Sequence, residues 1–121
     1  MVEFGEDGHR KTPLLFYRTP SGAEPVLDWL KDLPTEERRE IGRDLMRAQW
    51  RWPVGMPLCR AMGGGIWEIR SNLHSGRTAR VLFYAGDNEL VALHGFIKKT
   101  QATPHSELKL AMKRMKEVRR S

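Results

Sequence analysis

Apolar residues follow several different spacings along the chain, and each spacing predicts a particular kind of element. Leu14 to Arg18 is a short apolar run closed by turn residues, which predicts a first strand. A short helix follows around Val26 to Leu30. Its start has two alternatives, because Ser21 opens a capping-box pattern and Pro25 suits the first turn of a helix.

A longer helix is predicted from Thr35 to Trp52. Its apolar residues recur at steps of four, three and four, which places them on one stripe: Ile41, Leu45, Ala48 and Trp52. Beyond this helix the period becomes two. Four strands with glycine-containing turns are predicted there: Leu58 to Met62, Ile66 to Leu73, Arg77 to Ala85 and Glu89 to Ile97.

The last predicted element is a helix from Pro104 to Arg119, with Thr103 as its N-cap. Its apolar stripe contains Leu108, Met112, Met115 and Val118. The predicted order is therefore β-α-α-β-β-β-β-α. Hairpin-linked strands separated from helices predict an α+β domain, with a largely antiparallel sheet, helices on one face and an open basic face.

Side-chain alternation along the predicted strands indicates which charged groups share the open face. Val81 and Phe83 point toward the helices, so Arg80 and Tyr84 point to the opposite face. The neighbouring strand places Arg70 there, with Glu68 beside it. Lys98 and Lys99 leave the end of the fifth strand, and at least one of them can reach the same face, depending on where the strand ends. His94 shares its parity with Leu90, Ala92 and Phe96, and it has both an interior and a catalytic interpretation.

Positive charge is concentrated at the C-terminal end of the sequence. Residues 1–97 contain 13 Lys and Arg against 13 Asp and Glu, whereas residues 98–121 contain eight against two, so the net charge of +6 lies entirely there. Such a block is typical of a solvated helix face, and also of a surface that binds a polyanion or an acidic protein. The candidate RNA-binding residues on this helix are Lys109, Lys113, Lys116 and Arg120.

Length and composition narrow the possible classes of protein. The 121 residues predict one domain over residues 14–121, preceded by a flexible lead-in at residues 1–13. No apolar run is long enough to span a bilayer and the N-terminus has no signal core, so we expect a cytoplasmic protein. Cys59 is the sole cysteine, and the four histidines are poorly spaced for zinc. We therefore expect Cys59 to be a core or half-buried residue, and we expect no disulfide, no metal and no cofactor.

Several cations and a phenol on one face suit phosphate chemistry better than acyl transfer or hydride transfer. Paired cations can hold a phosphodiester and stabilise the additional negative charge of its transition state. When the polymer is RNA, its own 2′-hydroxyl can serve as the nucleophile. Proton transfer could then come from a lysine whose pKa is depressed by its neighbours, or from Glu68 or His94.

Three segments resemble a known family when they are taken in order. The segments are IWEIR, RVLFY and LHGFIKKTQATP, and the last is followed by a basic helix. They resemble the RelE/ParE toxin superfamily and its phage-derived HigB-like branch. The resemblance covers roughly Leu14 to Val118. It implies a microbial-RNase-like domain that enters the ribosomal A site and cleaves mRNA there. Arg80 matches the arginine that such toxins aim at the scissile phosphate, and Arg70, Lys98 and Lys99 match basic positions.

The resemblance also implies partners and leaves alternatives open. It implies a HigA-like helix-turn-helix antitoxin, with the toxin monomeric when free and heteromeric in that complex. RelE has a lysine where this chain has Glu68, and a tyrosine in its last helix that has no counterpart here. The alternative functions are a ParE-like toxin that binds gyrase without cleaving RNA, and a non-catalytic RNA-binding domain.

Overall fold

A computed structural model describes residues 10–99 and 101–120, which form three helices and five strands in the predicted order. The predicted bounds agree with the observed ones to within two residues. The elements are β1 (Leu14–Phe16), α1 (Pro25–Asp32), α2 (Thr35–Arg51), β2 (Cys59–Gly63), β3 (Ile66–Asn72), β4 (Thr78–Ala85), β5 (Leu90–Ile97) and α3 (His105–Arg120).

Helix α1 takes the second of its two predicted starts. Pro25 occupies the first turn, where its missing N–H removes no helical hydrogen bond. The Ser21 hydroxyl instead contacts the Thr19 hydroxyl at 3.0 Å, within the preceding turn. Proline geometry therefore sets the start of α1, and the capping-box alternative is wrong.

The five strands form one sheet in the order β1-β5-β4-β3-β2. All neighbouring pairs are antiparallel except β1 and β5, which run parallel at one edge. The β2–β3 hairpin turns at Gly63, Gly64 and Gly65, all of which have positive φ, a conformation that glycine adopts without strain. The predicted α+β class with a largely antiparallel sheet is confirmed.

Helices cover both faces of the sheet, so the expectation of helices on one face and an open opposite face is wrong. The first face packs on α1 and α2 through Val81 and Phe83 of β4. The second face packs on α3, where Leu82 contacts a cluster that includes Met115. The physical reason is that β4 is apolar at both parities, and Leu82 is fully buried. An apolar second face requires cover, and the stripe of α3 supplies it.

A β-bulge changes which side chains of β5 share a face. Leu82 is paired with His94 but Phe83 is paired with Ala92, so Leu93 is the extra residue. Ala92 therefore lies in the first core, which is the apolar cluster between the first face and helices α1 and α2. His94 instead stacks on Phe96 on the second face, with ring centroids 5.6 Å apart. The predicted shared face of His94 is confirmed for Phe96. It is wrong for Ala92 and for Leu90, which also belongs to the first core.

Most of the predicted lead-in, residues 1–9, lies outside the described residues. Within its described part, the Thr12 N–H donates to the Gln49 carbonyl at 2.9 Å, and the Pro13 carbonyl accepts from Leu90 N–H at 2.9 Å. The chain is thus hydrogen-bonded to α2 and β5 immediately before β1 begins. Among the described helices, none combines the length and apolar character needed to cross a membrane.

Candidate phosphate-binding site

Arg80 lies at the centre of a buried polar cluster beneath the second face of the sheet. Its side chain is 1% exposed, and Nη1 lies 3.4 Å from Glu68 Oε2, itself 2% exposed. Nη1 also donates to the Thr103 hydroxyl at 2.6 Å, and Nη2 donates to the Gln101 carbonyl at 3.1 Å. The Thr103 hydroxyl in turn donates to Glu68. The expectation that Arg80 lies on an open face is therefore wrong, because the chain before α3 covers it.

Three further cations surround this cluster on the same face. Sheet register places Arg70 directly opposite Arg80, and Arg60 directly opposite Glu68. Lys98 follows Phe96, the partner of Arg80, by two residues and so has the same parity. Arg60 and Arg70 are exposed and Lys98 is half-buried. Opposite side chains on antiparallel strands lie about 5 Å apart at Cβ, so Arg70 is a close neighbour of Arg80, and Arg60 of Glu68.

The outer cations have no acidic partner within the described chain. No carboxylate of a described residue lies within 4.0 Å of Arg60, Arg70 or Lys98. Arg70 and Arg80 are like charges in directly opposite positions, an arrangement that costs free energy unless a negative charge is near. Glu68 offsets Arg80, and it leaves the charge of Arg70 uncompensated. An anion bound over this end of the sheet would therefore be stabilised.

Lys98 and Lys99 occupy different surroundings. The Lys98 N–H donates to the Thr78 carbonyl at 2.7 Å, which continues the β4–β5 ladder and fixes the lysine at the sheet end. Lys99 is exposed and lines a separate groove of about 440 Å³, together with Trp29 and Pro104. The structure thus places Lys98 diagonally across from Arg80 on the neighbouring strand, and places Lys99 toward α1.

His94 lies between Phe96 and α3 on the second face. Its Nε2 is 3.2 Å from Glu107 Oε2, an ion-pair distance without the alignment of a hydrogen bond. Burial lowers the pKa of the imidazole, although the nearby Glu107 carboxylate acts in the opposite direction. Burial therefore favours the neutral form of the ring, which can accept a proton.

Tyr84 is remote from the cation cluster. It lies four residues beyond Arg80 on β4, which is about 13 Å along a strand. There it is paired with Ile66 and lies beneath the Arg119 guanidinium, 6.0 Å from the ring centroid. The structure therefore does not bring Tyr84 together with Arg70, Arg80 and Lys98.

The basic residues of α3 form a separate surface. Met115 and Ala111 face the core, and the helix turns its outer side to solvent. The four candidate RNA-binding residues recur there at steps of four, three and four and are all exposed: Lys109, Lys113, Lys116 and Arg120. Their spacing places them on one stripe, roughly opposite the core.

Two residues of the cluster escaped the sequence interpretation. Thr103 was predicted to cap α3, but its hydroxyl is used by Arg80 and Glu68, and α3 begins at His105. A long-range contact of this kind leaves no mark in local sequence spacing. Arg60 could have been placed on a face by parity along β2, yet its position opposite Glu68 depends on the register, which the hairpin turn sets.

Cys59 is not part of a reactive site. Its side chain is 1% exposed in the first core, and burial raises the pKa of the thiol to about 11. The thiol is therefore protonated at neutral pH and a poor nucleophile, in agreement with the predicted core position. Among the described residues, no group of three His, Cys, Asp or Glu side chains is arranged to hold a metal ion.

The fold and site define a small α+β domain with a five-stranded, mostly antiparallel sheet that carries unneutralised cations at one end. Residues 28–116 match the family model described as phage derived protein Gp49-like (DUF891). The match covers most of the chain, which therefore belongs to this family, a RelE/HigB-like toxin family. The family is associated with toxins of toxin-antitoxin systems, and such a toxin implies an antitoxin partner. No curated protein matches the chain.

Proposed function

We propose that this protein is the toxin of a type II toxin-antitoxin system and that it cleaves mRNA in the ribosomal A site. The observation that supports the proposal is the group of uncompensated cations, Arg60, Arg70 and Lys98, next to buried Arg80. Such a group suits a phosphodiester whose negative charge increases in the transition state. The nucleophile is the RNA 2′-hydroxyl, so the protein contributes placement, positive charge and proton transfer, with no metal or cofactor.

The exposed cations and Arg80 take different roles in this proposal. Arg70 and Lys98 contact the scissile phosphate, and Lys99 reaches the adjoining backbone from the end of β5. Arg80 is a positioning residue, because its Nη atoms are bound to Thr103 and Gln101 and so fix the chain that follows the two lysines.

For proton transfer we propose His94 in preference to Glu68. The neutral imidazole of His94 can accept a proton, whereas the Glu68 carboxylate already accepts from Arg80 and Thr103. His94→Gln keeps a polar side chain of similar reach and removes the titrating group. It should remove the low-pH limb of the pH–rate profile of cleavage. An unchanged limb would exclude His94 as the base.

The proposed partners follow from the family and from the exposed basic stripe of α3. A HigA-like helix-turn-helix antitoxin would bind and inactivate the toxin, which is monomeric when free. The stripe from Lys109 to Arg120 offers four exposed cations to ribosomal or messenger RNA. We place the protein in the cytoplasm, where ribosomes and mRNA meet.

A reconstituted translation reaction with defined mRNA tests the proposal. Primer extension should show cuts at A-site codons when the purified protein and ribosomes are both present, and none when ribosomes are omitted. Folded protein that leaves the mRNA intact but inhibits DNA supercoiling by gyrase would overturn it in favour of a ParE-like function. Salt-dependent RNA binding without any cut would overturn it in favour of a non-catalytic RNA-binding domain.

A further inference from the structure

A groove of about 370 Å³ lies between α2 and the β3 side of the sheet, beside the cation cluster. Arg43 and Arg47 of α2 line one wall, and Arg70 of β3 lines another. Pro57 and Leu58 add apolar surface between them. Arg70 thus belongs both to this groove and to the proposed phosphate site, which makes the two surfaces continuous.

The acids of the groove are already paired with other groups. Asp44 Oδ1 lies 3.3 Å from Arg47 Nη1, and Glu40 contacts the His74 ring. Within the described chain, no carboxylate lies within 4.0 Å of Arg43 or Arg70. In addition to the His74 contact, Arg43 is near enough to Glu40 to help lower the pKa of that carboxyl, but it forms no ion pair within 4.0 Å. An arginine fork suits phosphate oxygens geometrically.

We propose that this groove binds a second backbone phosphate of single-stranded RNA, adjoining the phosphate held at Arg70 and Lys98. The inference rests on the proposed RNA substrate, and it extends the path of that RNA from the sheet onto α2. Arg43 supplies the charge for the second phosphate. Leu58 and Pro57 contact the ribose or base, and the His74 ring, which is 93% exposed, is open to stacking by a base.

RNA fits this groove better than an acidic protein segment does. The lining of the groove combines the apolar side chains of Pro57 and Leu58 with the guanidinium groups of Arg43 and Arg70, which suits the alternation of base or sugar with phosphate along a single strand. The shared Arg70 also requires the ligand to continue into the cation cluster. Single-stranded RNA, which has a phosphate, a ribose and a base in every unit, meets that requirement.

Length-graded RNA binding tests the proposal with the full chain. Fluorescence anisotropy would compare single-stranded oligoribonucleotides of about four and about ten nucleotides, lengths that bracket the span of a small single-strand site. Arg43→Ala should weaken binding of the longer RNA several-fold and leave the shorter RNA nearly unchanged. The slope of log K against log salt for the longer RNA should fall in magnitude by about 0.7, because one phosphate contact is lost.

Arg39→Ala is the matched control. Arg39 also lies on α2 and is exposed, but it pairs with Glu36 at 2.9 Å and does not line the groove. Equal effects of Arg43→Ala and Arg39→Ala on the longer RNA would overturn the inference. A second result would also overturn the inference: binding of a polyglutamate peptide depends on Arg43, and binding of RNA does not. That result would assign the groove to an acidic protein.

The two levels of the proposal fail in different ways. If the protein cleaves no mRNA on ribosomes but Arg43→Ala still weakens only the longer RNA, the groove is supported and the cleavage proposal fails. If cleavage is present and Arg43→Ala has no length-dependent effect, the groove proposal alone fails.

Discussion

Arg80 and Glu68 place two opposite charges in the interior of the domain, where each depends on the other for compensation. Their side chains are 1% and 2% exposed, and Thr103 bonds to both. Removing one partner of a buried pair leaves an uncompensated charge, whereas replacing both with apolar residues of similar size is often tolerated. An activity loss in Arg80→Ala would therefore mix catalysis with folding.

Arg80→Ala should lower the free energy of unfolding by about 3–5 kcal/mol. The double variant Arg80→Met with Glu68→Leu should recover most of that loss, because no charge then remains buried. Denaturant titration followed by circular dichroism measures both variants. An unchanged midpoint for Arg80→Ala would show that the pair carries no structural role.

Gly95 permits α1 to approach β5 closely. A Cβ atom at this position would lie 2.4 Å from the Trp29 ring, which is closer than atoms can approach without displacement. Gly95→Ala should therefore lower the free energy of unfolding by about 1–3 kcal/mol, through overpacking between α1 and the sheet. The change is measured by denaturant titration.

Gly42→Ala is the control for that prediction, because Gly42 lies within α2 and a Cβ there meets no atom within 4 Å. The control should raise the free energy of unfolding by roughly 0.5–1 kcal/mol, since alanine loses less backbone entropy in a helix. Stabilisation by both substitutions would contradict the close approach of Trp29 to β5.

At the scale of elements, α2 is bound to the β3–β4 turn by a carboxylate. Glu37 accepts from Arg77 Nε at 2.9 Å and Nη2 at 2.7 Å, and from the Ser75 hydroxyl at 2.6 Å. The hydrogen bond from Arg77 is the main reason that the pKa of the Glu37 carboxyl lies below its usual range, and the bond from Ser75 adds to it. Ser75 and Arg77 are both distant from α2 in sequence.

The depressed pKa of Glu37 sets the sign of a pH effect on stability. A carboxyl with a lower pKa in the folded state stabilises the fold above the unfolded value of about 4.3, and this contribution is lost as the pH falls below it. Glu37→Gln should therefore be destabilising at pH 7, with a difference from the wild type that narrows over the pH range below about 4.3. Chemical unfolding at several pH values measures the difference. A constant difference across that range would contradict the Arg77 contact.

The sequence predicted the elements well, and it predicted their faces only in part. Apolar spacing located all the described helices and strands, because burial of one stripe or face is recorded locally. The bulge at Leu93 reverses alternation within β5, and a strict period of two does not show it. Helix α3 covers the second face, and Thr103 covers Arg80. Both contacts join segments that are distant in sequence. Parity therefore predicted the exposed position of Arg70 correctly, and it predicted an exposed position for Arg80 wrongly.

At the scale of the whole molecule, charge is arranged on two connected surfaces and one separate stripe. Arg70 joins the cation cluster at the end of the sheet to the groove beside α2. The exposed stripe of α3 carries four more cations. With a net charge of +6, the protein should meet RNA rapidly, and its RNA affinity should fall steeply as salt rises.

The most direct test of the proposed function is the cleavage rate of ribosome-bound mRNA by Arg70→Ala, compared with wild type and with Arg39→Ala. Arg70 is exposed, so its removal should leave the fold intact, as a denaturant titration would verify. Loss of one charge contact in the transition state should cost about 3 kcal/mol, on the order of a hundredfold in rate, while Arg39→Ala cleaves at the wild-type rate. Wild-type cleavage by folded Arg70→Ala, or no cleavage by any of the three proteins, would contradict the proposal.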